Sequence, residues 1–261
     1  MSTQPPPVPV KTFMVDALTV NIYPRLDDLA LAAALAASSH LHAILAAQNK
    51  AAVILASAAS QVKFLEQLAS LGGVDWSRVT LFHMDEYLGI SAEHAASFRR
   101  FMREHVAAKL RPLALHYLEG DVLQPIDECD RYTRLLRAQP IDLCCLGIGE
   151  NGHLAFNDPA VAEFGDSRWV KIVKLDLKCR QQQVGEGAFP HLPAVPQYAL
   201  TLTIPTLCSA KKLIAVVPEK RKAKAVQDAL LGAVSPACPA SILRRQPQAT
   251  LFLDADSASL L

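Results

Sequence analysis

Two segments of the sequence carry side chains that can move protons. Asp85 and Glu86 follow the apolar run Thr80–Met84, and His153 ends the glycine-rich segment Gly147–His153. A carboxylate can abstract a proton from a carbon next to a carbonyl or imine, and histidine exchanges protons near neutral pH. Successive side chains at a strand end diverge, so we expect only one of the two carboxylates to face a ligand. A helix N-cap or a surface salt bridge would use the same carboxylates without chemistry.

The segment Gly147–Gly152 admits two interpretations. It matches the G-x-G-x-x-G fingerprint of a dinucleotide-binding turn, which must open a long crossover helix. Here Pro159 follows within seven residues as part of an Asn-Asp-Pro turn signal, and no strand ending in an acid comes about twenty residues later. We therefore favour a loop that presents His153, with Asp158 close enough in sequence to orient the imidazole.

Two further segments are suited to bind an anion. Lys220–Lys222 stand at a predicted helix start, where cations oppose the helix dipole unless an anion offsets them. Ser57 and Ser60 flank a strand-to-helix junction with free backbone N–H groups. The alternatives are a solvated face, partly neutralised by Glu219, and ordinary N-capping by the serines. Taken together, the carboxylate, the histidine and the two anion-binding segments predict proton transfer on a phosphorylated small molecule.

The elements that must position these segments alternate along the chain. Apolar runs predict strands at Phe13–Ile22, Ala51–Ala56, Val79–His83, Ile141–Leu146, Leu213–Val217 and Thr250–Leu253. Helical spacing predicts helices at Leu26–Asn49, Ser60–Leu71, Ala95–Leu110, Ile126–Ala138 and Lys220–Leu231. This alternation predicts an α/β fold, a doubly wound, mostly parallel, Rossmann-like sheet with helices on both faces, in a single domain. Such sheets bind ligands at the carboxyl ends of their strands, so the four polar segments should meet in one crevice.

Length and composition limit the function further. We expect a disordered Pro-rich lead over residues 1–10, one domain over residues 11–261, and a lid-like, loop-rich segment around residues 160–199. The net charge of +1 gives no case for nucleic acid or a membrane surface as a partner. No apolar run has transmembrane length, and the six cysteines lack disulfide or CxxC spacing, as in a reduced, cytoplasmic protein.

Three stretches resemble the glucosamine-6-phosphate deaminase/isomerase family and, more distantly, the 6-phosphogluconolactonases of the same superfamily. They are Phe82–Gly89, continuing to Ser97 and Phe98; Leu146–Pro159; and Tyr198–Thr203, followed by the helix that carries Lys222. The resemblance runs from about residue 15 to the C-terminus. Lactonases usually carry arginine where Tyr87 stands, which favours the deaminase side.

The resemblance implies conversion of an amino-sugar 6-phosphate to a ketose 6-phosphate with release of ammonia. Asp85 would move the C2 proton to C1 through an enolamine, and His153 would assist ring opening. The implied catalytic residues are Asp85, Glu86, Asn151, His153 and Asp158, and the implied substrate-binding residues are Ser57, Ser60, Gly149, Arg180 and Lys222. No metal or cofactor is needed, the sugar phosphate is the expected partner, and assembly into a homo-oligomer is left open.

The chain departs from the family pattern around the histidine. Asn151 replaces an acid two residues before His153, and Asp158 replaces a glutamate. We expect Asn151 to hydrogen-bond the ring, although it cannot stabilise an imidazolium as a charge would.

Other departures concern the phosphate loop and the lid. Ala58 and Ala59 replace loop glycines, which restricts positive φ, and Gln183 stands where the lid of the family has an arginine. Trp169 replaces a basic residue of allosterically regulated hexameric members, so that regulation is not carried over. A lactonase-like hydrolase, another sugar-phosphate isomerase and a non-catalytic sugar-phosphate sensor are the alternative functions.

Overall fold

A sheet of eight strands forms the centre of the molecule in the computed structural model, which describes residues 5–261. In their order across the sheet, with numbers following the chain, the strands are β1 Lys11–Val15, β2 Leu18–Tyr23, β11 Ala249–Asp254, β10 Leu213–Val217, β7 Leu143–Leu146, β3 Ala51–Leu55, β4 Val79–His83 and β6 Ala114–His116. All neighbours are parallel except the β1–β2 hairpin. The predicted mostly parallel sheet is confirmed.

Helices cover both faces of this sheet. They are α1 Leu26–Ala47, α2 Val62–Leu71, α3 Phe98–Met102, α4 Ala108–Leu110, α5 Pro125–Arg137, α7 Ile204–Cys208 and α8 Ala223–Leu231. A further helix, α6 Leu177–Gly185, packs in a separate hydrophobic cluster with Tyr87 and Val173. A π-helical turn, Arg103–Ala107, joins α3 to α4, and short 3₁₀ turns, Ala59–Gln61 and Lys220–Lys222, precede α2 and α8.

The alternation of side chains along β3 shows why two helical layers are needed. Val53 and Leu55 belong to a hydrophobic cluster with α1 and α2, whereas Ala52 and Ile54 belong to a second cluster with α5 and α8. Because successive residues of a strand point to opposite faces, a fully apolar strand must be covered twice. The doubly wound arrangement follows from this pattern.

A second, smaller sheet was not predicted from the sequence. It consists of β5 Asp85–Tyr87, β9 Tyr198–Leu202 and β8 Val170–Lys174, all antiparallel. The segment of residues 160–199 contains β8, α6 and the start of β9, with irregular chain before, between and after β8 and α6. A three-residue strand such as β5 leaves no periodicity in the sequence, so only its pairing with β9 reveals it.

The N-terminal part of the chain also differs from the prediction. The single strand expected over residues 13–22 is two strands, because Asp16 adopts a positive φ of 51° and turns the chain back. Residues 1–4 of the predicted lead lie outside the described residues, and the Val10 amide already donates to the Ile22 carbonyl. Helix α1 is long and apolar enough to cross a membrane by length and composition alone, but half of its apolar window is buried, as in a core helix.

Candidate active site

A cavity of about 330 Å³ lies at the carboxyl ends of β10, β7, β3 and β4, which are neighbours in the sheet. Each strand contributes the polar segment that follows it: Lys222 after β10, Gly147–Gly149 and His153 after β7, Ser57–Ser60 after β3, and Asp85 after β4. The prediction that the four polar segments meet in one crevice is confirmed. The chemical roles of these residues stay predictions.

Asp85 is the carboxylate that faces the cavity. It is the first residue of β5 and is only 7% exposed. Burial, followed by the charge of neighbouring Glu86, raises the pKa of Asp85 well above its ordinary value. A carboxylate with a raised pKa is a stronger base when ionised, which suits abstraction of a proton from carbon.

Glu86 points away from the cavity, which corrects its prediction as a catalytic residue. Its carboxylate accepts hydrogen bonds from the Ser97 hydroxyl at 2.7 Å and from the backbone amides of Arg99 at 2.9 Å and Phe98 at 3.2 Å. It therefore binds the free N–H groups at the start of α3. This contact also explains why the helix predicted from residue 95 begins only at Phe98.

His153 and Asp158 form a hydrogen-bonded pair beside the cavity. Nδ1 of His153 lies 3.1 Å from Oδ1 of Asp158, which is fully buried. Burial alone would raise the pKa of Asp158, but hydrogen bonds from His153, Asn151 and the Asp176 amide hold that pKa below its ordinary value. An ionised Asp158 favours the tautomer with its proton on Nδ1, which leaves Nε2 able to accept a proton.

The absence of a side chain at Gly149 leaves room for the imidazole of His153. A Cβ atom at Gly149 would lie 2.1 Å from Nε2 of His153, so the ring occupies the space that any side chain would need. The Gly149 amide also donates to the His153 carbonyl at 3.0 Å. Gly149 thus lines the cavity as predicted and also supports the histidine.

Asn151 does not contact the imidazole ring, contrary to the expectation. Its Nδ2 group donates to Asp158 and Asp176, both at 2.9 Å, and its Oδ1 accepts from the His153 backbone amide at 3.1 Å. Bridging two carboxylates requires two N–H donors, which an amide has and an acid lacks. Asp176, which also caps α6 through the Cys179 amide, carries no signal in the sequence that would have placed it here.

His153, Asp158 and Cys179 also bring potential metal-ligand atoms within 4.8 Å of one another. Thiolate is the form of cysteine that binds metals, and burial strongly raises the pKa of the Cys179 thiol. The Asp158 carboxylate already accepts three hydrogen bonds from protein groups. We therefore infer that this cluster orients the His153 ring and does not bind a metal ion.

The opposite part of the cavity wall is suited to an anion. Lys222 is 3% exposed, and within residues 5–261 no acceptor binds its ammonium group; burial lowers its pKa. In the same described part of the chain, the buried Ser57 hydroxyl has no hydrogen-bond partner. An anion bound in this cavity would pair with the lysine ammonium and the serine hydroxyl together. Ala58 adopts an extended φ of −132°, so this loop forms without glycine.

Arg180 is misplaced in the prediction. Its guanidinium donates to the carbonyls of Leu192 at 2.8 Å and Val195 at 2.9 Å and does not line the cavity. The adjoining face of α6 does so instead, through Gln182 and Gln183, with Glu186 at the helix end.

Gln183 is held by the buried Tyr87 hydroxyl, which donates to its Oε1 at 2.6 Å. Its Nε2 group is therefore the donor left for the cavity. In the sequence, Gln183 was connected with the site only because it stands where the lid of the family has an arginine. Nothing in the sequence connected Gln182 or Glu186 with the site.

Comparisons with known proteins identify the family of the chain. Residues 24–252 match the family model described as glucosamine-6-phosphate isomerases/6-phosphogluconolactonase. A glucosamine-6-phosphate deaminase of Exiguobacterium sibiricum is 36% identical over 188 residues, covering 72% of this chain and 73% of that protein. One of Lactobacillus delbrueckii subsp. bulgaricus is 32% identical over 208 residues, covering 79% and 86%.

Solved structures show the same fold. A monomeric glucosamine-6-phosphate deaminase superposes with a TM-score of 0.85 at 27% identity, covering 93% of this chain and 99% of that one. A 6-phosphogluconolactonase from Thermotoga maritima superposes with a TM-score of 0.72 at 20% identity, covering 91% and 99%. The second likeness concerns the fold alone.

Proposed function

The chain belongs to the glucosamine-6-phosphate isomerase/6-phosphogluconolactonase family, and we propose that it is a deaminase/isomerase that converts an amino-sugar 6-phosphate to a ketose 6-phosphate with release of ammonia. One observation carries this proposal beyond the family. A buried carboxylate with a raised pKa, Asp85, lines one cavity together with Lys222 and with His153, whose ring is hydrogen-bonded to Asp158. Base, proton shuttle and anion anchor are thus within reach of one small ligand.

The reaction begins with ring opening. In our proposal Nε2 of His153 takes the proton of the C1 hydroxyl and passes one to the ring oxygen, while Asp158 holds the imidazole in orientation. Asp158 stabilises the positive charge that the ring acquires in between.

Isomerisation follows on the open chain. Asp85 removes the C2 proton to form an enolamine and returns a proton to C1, which leaves an imine at C2. Water adds to this imine, and ammonia leaves as the C2 carbonyl forms. Nitrogen, oxygen and protons balance, since one water enters and one ammonia departs.

The anchor for the phosphate is the other half of the proposal. Lys222 supplies a cation, and the loop of Ser57 and Ser60 supplies hydroxyl and amide donors. Gln183 of α6 and Glu186, the residue that follows this helix, line another part of the cavity wall. We place the enzyme in the cytoplasm, since Cys129, Cys144, Cys145, Cys179, Cys208 and Cys238 are free thiols, and leave its oligomeric state open.

The test is an ammonium-release assay. With glucosamine-6-phosphate, the purified protein should release ammonium and form fructose-6-phosphate, and Asp85→Asn should abolish both. Asp228→Asn, a change at a half-exposed position on α8 outside the cavity, is the matched control and should leave the rate unchanged.

Three outcomes would contradict the proposal. Absence of both turnover and C2–H exchange in deuterated water, with gluco- and galacto-configured substrates, would exclude the enzyme. Saturable binding without exchange would indicate a sensor. Hydrolysis of 6-phosphogluconolactone without ammonium release would indicate a lactonase.

A further inference from the structure

Glu186 brings a carboxylate to the cavity wall that also carries Lys222. Its side chain is 14% exposed and lines the cavity together with Lys222, Ser57 and Ser60. Oε1 accepts hydrogen bonds from Arg221 and from Gln182. In the part of the chain that the structure covers, Oε2 has no protein donor, so this oxygen is available to a ligand. The charge of Glu186 also favours the protonated form of Lys222, partly offsetting the burial that lowers the lysine pKa.

Arg221 does not add a free cation to this wall. Its guanidinium is shared among Glu150, Glu186 and Glu219. Glu219 keeps a positive φ of 81°, a costly conformation for a residue other than glycine, while its amide binds Asp254. Lys222 and Arg221 are therefore two cations close to three carboxylates, those of Glu150, Glu186 and Glu219. The other titratable groups that line the cavity are Asp85, His105 and His153, and Tyr87 lies near Glu186. A dianion entering here meets net negative charge unless it brings a proton.

A phosphate monoester can bring that proton, whereas a sulfate monoester cannot. The second pKa of a phosphate ester is about 6, and an ionised carboxylate only accepts hydrogen bonds. Two ionised acceptors repel each other, but one proton between them forms a charge-assisted hydrogen bond. A sulfate ester has one negative charge and no proton to share.

We propose, building on the proposed function, that Glu186 makes the anchor selective for a phosphate ester over a sulfate ester by sharing one proton with the bound phosphate. This assigns Glu186 the role of a specificity determinant. Lys222 attracts any anion, whereas Glu186 stabilises only an anion that can share a proton with its carboxylate.

Calorimetry with two unreactive ligands tests the proposal. Glucitol 6-phosphate and glucitol 6-sulfate lack the carbonyl needed for turnover and an amino group that would titrate. At pH 8, in buffers of different protonation enthalpy, the wild-type protein should bind the phosphate at least about tenfold more tightly than the sulfate. It should take up about one proton with the phosphate and none with the sulfate. Glu186→Gln should lose the proton uptake and bind the sulfate about tenfold better.

Glu150→Gln is the matched control, because Glu150 shares Arg221 but does not line the cavity. It should keep both the phosphate preference and the proton uptake. The inference is overturned if Glu186→Gln leaves the preference unchanged, or if Glu150→Gln changes it equally, since the effect would then run through Arg221. Ammonium release, measured in parallel, keeps the two proposals apart. If the protein releases ammonium but Glu186→Gln leaves the preference for phosphate over sulfate unchanged, only this inference is refuted. If the protein prefers the phosphate in the way described but releases no ammonium, only the proposed function is refuted.

Discussion

Replacing Gly149 with alanine should displace the imidazole of His153 while leaving Asp85, His153 and Asp158 in the sequence. The new Cβ would lie 2.1 Å from Nε2, whereas ordinary van der Waals contact begins at 3.4 Å. The imidazole must therefore retreat by about 1.3 Å, the difference between these distances, and this strains its 3.1 Å contact with Asp158. Misplacing a catalytic group by about 1 Å costs about a hundredfold in rate, or roughly 2.7 kcal/mol in the barrier.

The assay separates this effect from unfolding and from loss of binding. The kcat for ammonium release should fall about a hundredfold, while KM changes little because the phosphate anchor lies elsewhere. Thermal unfolding should show an overpacking cost of about 1–3 kcal/mol. Gly149 does not have a positive φ, so alanine fits its backbone. Gly165→Ala, which adds a methyl group in open space, is the control. A Gly149→Ala enzyme within about threefold of the wild-type kcat would refute the assigned position of His153.

Three further substitutions test other parts of the site. Burial raises the pKa of Asp85, so the folded state favours its protonated form and loses stability as pH rises above the ordinary aspartate value of about 3.9. Denaturant titrations should find Asp85→Asn more stable than wild type at pH 8 and the gap nearly closed at pH 4; a constant gap contradicts the argument. Asn151→Asp removes the donors that bridge Asp158 and Asp176 and should cost about 1–3 kcal/mol of unfolding free energy at pH 7, with partial recovery at pH 5. Arg180→Met should cost a similar amount but keep KM within about twofold, since its guanidinium binds carbonyl groups; a tenfold rise in KM would return Arg180 to the substrate site.

The sequence by itself determined the fold and the location of the site. Strands β3, β4, β7 and β10 are fully buried apolar runs, and such runs separated by helices permit little other than a parallel sheet covered on both faces. Once the sheet is parallel, the polar segments after those strands must meet at one edge. This information is local, because periodicity and turn residues are properties of short stretches of chain.

The tertiary structure decided which side chains share the cavity. Asp85 and Glu86 are adjacent and chemically alike, and only the pairing of β5 with β9 turns the first toward the cavity and the second toward α3. Arg180 was assigned to substrate binding, but the packing of α6 directs its guanidinium to the carbonyls of Leu192 and Val195. Asp176 approaches Asn151 from a distant segment of the chain. Each of these facts rests on a contact between distant residues, and no short window of sequence contains both partners.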